Sequence, residues 1–342
     1  MKIGIYDPYL DTLGGGEKYV LSISKFFEKE NEVSIFWDQD LSSKIKERFS
    51  LNLNAKFEKN IFKSGSLIEK YKLTKKFDIF FFISDGSIPF LFAKKNFLIF
   101  QFPPHLGKNT MSSIKLRKIN NVICYSEFVK EHLDARLKVN SRVLYPPVDK
   151  ISKKTKENII LSVGRFTKSV NNKKHEVLIN AFKKMNLPGW KLIIAGSVLQ
   201  GDLEVVEDLK KLAKNANIEI KESIPHSELV KYYSKARIYW HAAGFREDTK
   251  ANPEKAEHFG ISTVEAMSAG AVPIVVNAGG QAEIVEDEKS GFLWDKEDQL
   301  ISKTKLLIEN NKLWEELSIN AETRAEDFSV GAFNKNLTNI TK

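Results

Sequence analysis

A chain of 342 residues is long enough for two domains with separate cores, and 42% hydrophobic with 28% charged residues is ordinary for a globular protein that folds in water. A single cysteine, Cys124, excludes an intramolecular disulfide and carries no metal-ligand spacing, and the longest apolar runs, such as Ile79 to Ser84, are too short to span a membrane. The formal charge of +9 is uneven: residues 1–150 hold 25 Lys and Arg against 17 Asp and Glu, and the remainder 28 against 27, so the first half is expected to meet an anionic partner.

The chain opens with "MKIGIYDP", which enters a strand at once; no signal peptide is expected, and the lone cysteine suits a reducing cytoplasm. Ten residues on, "LGGGEKYV" (Leu13 to Val20) places three glycines before an amphipathic helix. Glycine lets a phosphate approach the backbone, and a helix N-terminus offers N–H groups and a positive dipole end; a flexible turn is the plainer reading. Gly14 and Gly16 match the first two glycines of a dinucleotide fingerprint, and Asp38 lies at a suitable distance, but the third glycine position is Tyr19. Asp38 and Asp40, "DQD" at a strand end, are a pair able to hold a divalent ion against a diphosphate; aspartates there are also turn residues, and the turn is favoured.

Apolar, β-branched strand candidates then alternate with helical patterns: "EVSIFW", "FDIFFFIS", "NFLIFQF" and "NVICYS", followed by "NIILSVG", "WKLIIAG", "IEIKES", "RIYWHA" and "AVPIVV". Near-continuous apolar strands with helices between them predict parallel sheets covered on both faces. Two such sets give an α/β protein of two doubly wound, Rossmann-like domains, residues 1–150 and 151–325, joined near Pro146 and Pro147. Residues 326–342 form a last helix expected to pack back towards the first domain. The basic, aromatic-dotted stretch Lys56 to Asp78 reads as a solvated helix and loop, with contact to anionic lipid as the alternative.

Ligands of doubly wound domains collect at the carboxyl ends of strands, and two facing domains would leave a central cleft. The stretch Glu257 to Val285, "EHFGISTVEAMSAGAVPIVVNAGGQAEIV", reads there as a loop, a helix from about Ser262, a stop at Gly270, a buried strand, and a glycine pair, Gly279 and Gly280, leading into another helix. Ser262 and Glu265 have the spacing of a capping box, which would give the glutamate a purely structural role. Capping leaves Glu257 unexplained.

Two glutamates separated by seven residues, with Phe-Gly between them and "EAMSAG" after, resemble the signature of retaining glycosyltransferases of the GT-B fold, family 4. "GGGEKYV", "RVLYPPVD", "SVGRFTKSVNNKKHEVLINAF" and "IPHSELVKYYSKARIYWHA" match the family's surrounding segments over nearly the whole chain, and "YPPVD" and "EHFGI" are nearest to lipid-linked-oligosaccharide mannosyltransferases. The resemblance implies the following roles. Arg165 and Lys173 hold the donor diphosphate, with Lys168 and Lys174 as competitors because the pair is spaced two residues wider than usual. Gly14, Gly15 and Gly16 approach that diphosphate. Glu257 bonds donor-sugar hydroxyls beside the amides of Phe259, Gly260 and Ile261, and Glu265 accepts from the ribose. The family commonly has a histidine where this chain has Gln101; His105, past two prolines, does not replace it. Gln101 and His241 are candidate sugar contacts.

The expected activity is transfer of a hexose, with mannose one candidate, from a nucleotide sugar of the UDP or GDP type to a glycan or lipid-linked acceptor. Retention, no metal, no cofactor and no nucleic acid are expected, in the cytoplasm and in peripheral contact with the inner face of an anionic membrane. A catalytically silent sugar-nucleotide-binding subunit and an NAD-dependent oxidoreductase are the alternatives.

Overall fold

The structure, a computed structural model, describes residues 1–105, 107, 109–168, 172–198 and 200–342. It divides into two compact units, one made of Met1–Pro147 with Phe333–Lys342, the other of Val148–Ala332.

The first unit contains strands β1 (Lys2–Tyr6), β2 (Glu32–Phe36), β3 (Lys56–Glu58), β4 (Ile79–Ile83), β5 (Lys95–Phe100), β6 (Asn121–Cys124) and β7 (Arg142–Val143). They form one parallel sheet in the order β3-β2-β1-β4-β5-β6-β7, so the chain winds outward from β1, returns, and winds the other way from β4. The topological switch point lies between β1 and β4, where strand-end loops diverge and leave room for a ligand. Alternate residues of the central strands face opposite layers. Ile3, Ile5, Phe81 and Ile83 pack with Tyr19, Val20, Ile23 and Phe27 of helix Gly15–Phe27, whose apolar residues recur at helical spacing. Phe333 and Leu337 of helix Val330–Thr341 complete this layer. Phe80, Phe82, Leu98 and Phe100 fill the opposite face.

The second unit has β8 (Glu157–Val163), β9 (Lys191–Gly196), β10 (Ile218–Glu222), β11 (Ala236–His241), β12 (Val272–Val276) and β13 (Phe292–Trp294), in the parallel order β10-β9-β8-β11-β12-β13. Its switch point falls between β8 and β11. Ile160, Ile194, Ile238, Trp240 and Ile274 carry the core, and the buried Trp240 indole donates to Thr304 Oγ1 at 3.1 Å, so its one polar atom is satisfied.

All ten of the expected strands form, but β3, β7 and β13 were not anticipated. β3 and β7 are short, half-exposed edge strands without an apolar run, and β3 lies inside the basic stretch, whose remainder folds as helices Ile61–Ser64 and Leu67–Thr74. No helix among the described residues is long and apolar enough to cross a membrane.

Candidate active site

In the second unit, β8 ends at Val163 and the chain passes through Gly164 and Arg165 before helix His175–Met185, while β11 ends at His241. The switch point thereby brings together residues from three places in the chain. Lys173 runs its stem over Gly164, where an added Cβ would lie 2.6 Å from the lysine Cγ, and places Nζ 2.6 Å from Glu257 Oε2. His241 Nε2 lies 2.9 Å from the same oxygen. The Ala243 N–H donates to His241 Nδ1 at 3.4 Å, which leaves the ring proton on Nε2, donated to Glu257.

The charges follow from these neighbours. Burial by itself would raise the Glu257 carboxyl, but the Lys173 ammonium and the His241 hydrogen bond outweigh it and hold the group well below the usual carboxylate range. Burial pushes His241 down against the opposing pull of Glu257, consistent with a neutral ring. Glu257 is therefore an ionised acceptor, held by a cation on one side and a neutral donor on the other.

The backbone around Glu257 is fixed by the glycine pair. The Gly280 N–H donates to Glu257 O at 2.7 Å, and a Cβ at Gly280 would come within 2.4 Å of Phe259 Cα, so only glycine lets the two loops touch. Gly260 then opens helix Ile261–Ser268. The capping-box expectation fails here: Gly260 holds the N-cap position, and Ser262 sits inside the first turn with its hydroxyl accepting from Tyr239 at 2.8 Å and donating to Val163 O at 3.2 Å. That hydroxyl ties the helix to β8 and β11, and Glu265 has no capping role. Its half-buried carboxylate lies near Tyr233, whose phenol is raised by burial and then by the Glu265 charge.

Of the lysines competing with Lys173, Lys174 is bound by Glu247 at 2.7 Å, and Lys168 is exposed and paired with Glu204 at 3.3 Å. Lys173 alone of the three reaches Glu257. Arg165 is exposed at the end of β8. His175, the first residue of its helix, is buried beneath the Phe166 ring, and burial pushes its imidazole down to about 3. Unfolded, it takes up a proton below about pH 6.5; folded, it does not until about pH 3. The unfolded state holds the extra proton in between, so stability falls as pH drops through that window. His175→Phe is expected to flatten this fall by about 1.4 kcal/mol per pH unit near pH 5, measured by urea unfolding between pH 7 and 4.5.

In the first unit, Gly14 is the N-cap of helix Gly15–Phe27, and its N–H is taken by Glu17 Oε2 at 2.6 Å. The amide expected to face a diphosphate is engaged by a carboxylate. Gly16 lies against the end of the Gln101 side chain, whose Oε1 would stand 2.6 Å from an added Cβ and would have to swing aside. Gln101 Nε2 and the Tyr125 hydroxyl both donate to Gly16 O, at 3.2 and 3.1 Å. Gln101 is half-buried against that helix, whereas His105 is exposed. Asp40 accepts from the Ser42 N–H two residues on, the turn role favoured for it, whereas Asp38 accepts from the Asn60 N–H of a distant loop. Among the described residues no group of three or more metal-ligating side chains is assembled.

Sequence reasoning missed Asp7, Glu17 and Gln281. Asp7, directly after β1, is almost fully buried and accepts from the Tyr9 N–H at 2.9 Å, and burial with the nearby Glu17 charge raises its carboxyl to about 7. An acid directly after a strand was the available signal. Gln281 is fully buried, with Oε1 accepting from Thr263 at 2.8 Å under Gly260, and only the fold reveals that contact.

Two doubly wound sheets are the architecture of the GT-B fold, and known structures share it. The Anabaena protein Alr3699/HepE, solved in complex with UDP and glucose, superposes with a TM-score of 0.76 at 18% identity, covering 99% of this chain and 98% of that one. Sucrose-phosphate synthase from Thermosynechococcus elongatus superposes with a TM-score of 0.76 at 16% identity, covering 100% and 98%. The profile described as Glycosyl transferases group 1 matches residues 148–324, and the chain belongs to that family. The human GDP-Man:Man(3)GlcNAc(2)-PP-Dol alpha-1,2-mannosyltransferase is 31% identical over 204 residues, which cover 52% of this chain and 39% of that protein. The human alpha-1,3/1,6-mannosyltransferase ALG2 is 26% identical over 235 residues, covering 61% and 54%. The matches thus span about half or less of these relatives.

Proposed function

We propose that this protein is a retaining, metal-independent glycosyltransferase that moves a hexose from a nucleoside diphosphate sugar, of the UDP or GDP type, to a glycan or lipid-linked acceptor. The observation that carries the reading is the buried contact of Lys173, Glu257 and His241 at the ends of β8 and β11. Departure of a nucleoside diphosphate leaves new charge on its β-phosphate, and Arg165 with Lys173 supplies fixed positive charge there without a metal. The ionised Glu257 accepts hydrogen bonds from sugar hydroxyls, Glu265 does the same for ribose hydroxyls, and the amides of Phe259, Gly260 and Ile261 line the same loop. His241, with both nitrogens engaged beneath Glu257, acts as a positioning residue rather than a sugar contact.

Retention requires either a covalent intermediate or attack on the leaving-group face. Glu257 is committed to Lys173 and His241, which disfavours it as a nucleophile. In the front-face route the C1–O bond to phosphate breaks as the acceptor oxygen bonds C1 on the same face. The acceptor proton passes to the departing phosphate oxygen. The name of the human PP-Dol mannosyltransferase favours mannose and a lipid-linked acceptor, that of ALG2 favours mannose, and a single free cysteine, Cys124, suits the cytoplasm.

A second reading, a silent nucleotide-sugar-binding subunit, is favoured by the Gly14 amide engaged on Glu17 and by Gln101 laid against Gly16. The deciding experiment is a thermal-shift screen against UDP, GDP, ADP, their sugar conjugates and NAD, with magnesium or with a chelator, followed by an assay of donor consumption. Stabilisation by one nucleoside diphosphate class without magnesium, together with donor consumption, is the expected result. Stabilisation without turnover of any donor would select the silent subunit, a shift only with magnesium would overturn the metal-independent reading, and a shift with NAD alone would overturn both.

A further inference from the structure

We propose that helices Leu67–Thr74 and Thr110–Leu116 of the first unit form, with Phe90 and Phe92, a surface that seats the unit on an anionic lipid bilayer. This deepens the lipid-linked reading above and rests on it only for its purpose, since the surface is argued from its own chemistry.

The apolar part is concentrated. Among the described residues eleven large hydrophobic side chains are exposed, and five of them lie on these two short helices: Leu67, Ile68, Tyr71, Met111 and Ile114. Ile68 is 67% exposed, and Leu67 and Met111 are each 54% exposed. Water-facing side chains of this size on adjacent elements mark an interaction surface. The two helices are linked through aromatic rings: Tyr71 meets Phe92 edge-on at 4.9 Å, Phe92 stacks with Phe90 at 6.4 Å, and the Lys115 ammonium stands 5.2 Å from the Phe90 ring. Leu73 and Leu116 on the inner sides of the helices pack into the core, which turns the exposed residues outward.

The charge decides the kind of partner. Residues 56–118 hold thirteen Lys and Arg against four Asp and Glu, a surplus equal to the net charge of the whole chain. All four acids have local duties: Glu58 accepts from Ser34, Glu69 from Ser66, Asp78 from Lys94, and Asp85 from the Ser87 N–H. Lys72 and Lys75 are exposed on the helix of Ile68, with the Lys75 ammonium 5.3 Å from the Tyr71 ring. Aliphatic side chains interspersed with long cationic ones suit a headgroup boundary, where the apolar groups enter the acyl region and ammonium groups reach up to phosphate.

The placement fits the reaction. A helix that connects parallel strands runs antiparallel to them, so the first turns of both helices, bearing Leu67, Ile68 and Met111, lie on the carboxyl rim of the sheet. That rim also carries Gly14 and Gln101. A bilayer seated there brings a lipid-borne headgroup to the strand ends of the first unit.

Flotation of the full chain with phosphatidylcholine vesicles, with and without roughly a third phosphatidylglycerol, tests the surface at low and high salt. The wild type is expected to float with anionic vesicles and not with neutral ones. Lys72→Ala with Lys75→Ala should weaken the binding about thirtyfold, at about 1 kcal/mol per cation. Leu67→Ser with Ile68→Ser should weaken it about tenfold, with the thermal midpoint unchanged because these side chains are exposed. Indifference of the wild type to anionic lipid, or equal flotation of all variants, would overturn the proposal. Self-association in sedimentation velocity that is lost in the Leu67→Ser/Ile68→Ser variant, without vesicle binding by the wild type, would assign the face to a second copy of the chain. No sugar substrate enters the measurement, so failure of the transferase reading leaves its outcome interpretable.

Discussion

Glu257→Gln is expected to lower kcat by about a thousandfold or more while leaving the free nucleoside diphosphate bound at least as tightly as in the wild type. The substitution keeps the size of the side chain and removes its charge. The carboxylate is held well below the usual range, and in the proposed site its remaining lone pairs would accept from sugar hydroxyls. In the proposed site the nucleotide would be held by other groups, Arg165, Glu265 and Lys173, so its binding should persist. Turnover of the expected sugar nucleotide measured beside calorimetric titration of its diphosphate separates the two effects. A variant with wild-type turnover would remove Glu257 from the site.

Lys173→Met is expected to abolish transfer and also to destabilise the second unit by about 3 kcal/mol or more, because it leaves Glu257 buried and ionised without its cation. The ammonium and the carboxylate are only 10% and 14% exposed as side chains, so water cannot replace the lost partner. Arg165→Met is the informative companion. It removes the other cation from an exposed position and should reduce transfer with little change in stability. Denaturant unfolding of both variants, and of Lys173→Met combined with Glu257→Gln, checks the argument. The double variant should recover much of the lost stability, since it no longer buries an unpaired charge.

The fold was legible where strands are buried on both faces. Runs such as Ile79–Ile83 admit no other reading once helices flank them, and alternation of such runs dictates parallel sheets. It was illegible at β7, a two-residue edge strand, and at β3, whose Lys56 and Glu58 mask an edge pairing with β2. Individual site residues could be named from the family resemblance, but their mutual geometry could not. Lys173 and Glu257 are separated by 84 positions in the chain, and only the switch point between β8 and β11 explains their contact. Ser262 shows the limit of local rules. Its spacing to Glu265 satisfies the capping pattern, yet Tyr239 and Val163 from neighbouring strands claim its hydroxyl. The same holds for His241, whose place at a strand end is a matter of sequence while its hydrogen bond beneath Glu257 is a matter of packing.

The pairing of Lys173 with Glu257 also bears on how a leaving product would be released. At rest the two groups neutralise each other, so a diphosphate that recruits the ammonium strips the carboxylate of its cation. A complete sugar nucleotide compensates with hydroxyl donors at Glu257, whereas the spent diphosphate has none to offer. In the proposed reaction, ejection of the spent nucleotide would restore the ion pair, and the resting contact would act as a return spring that biases the site against product inhibition.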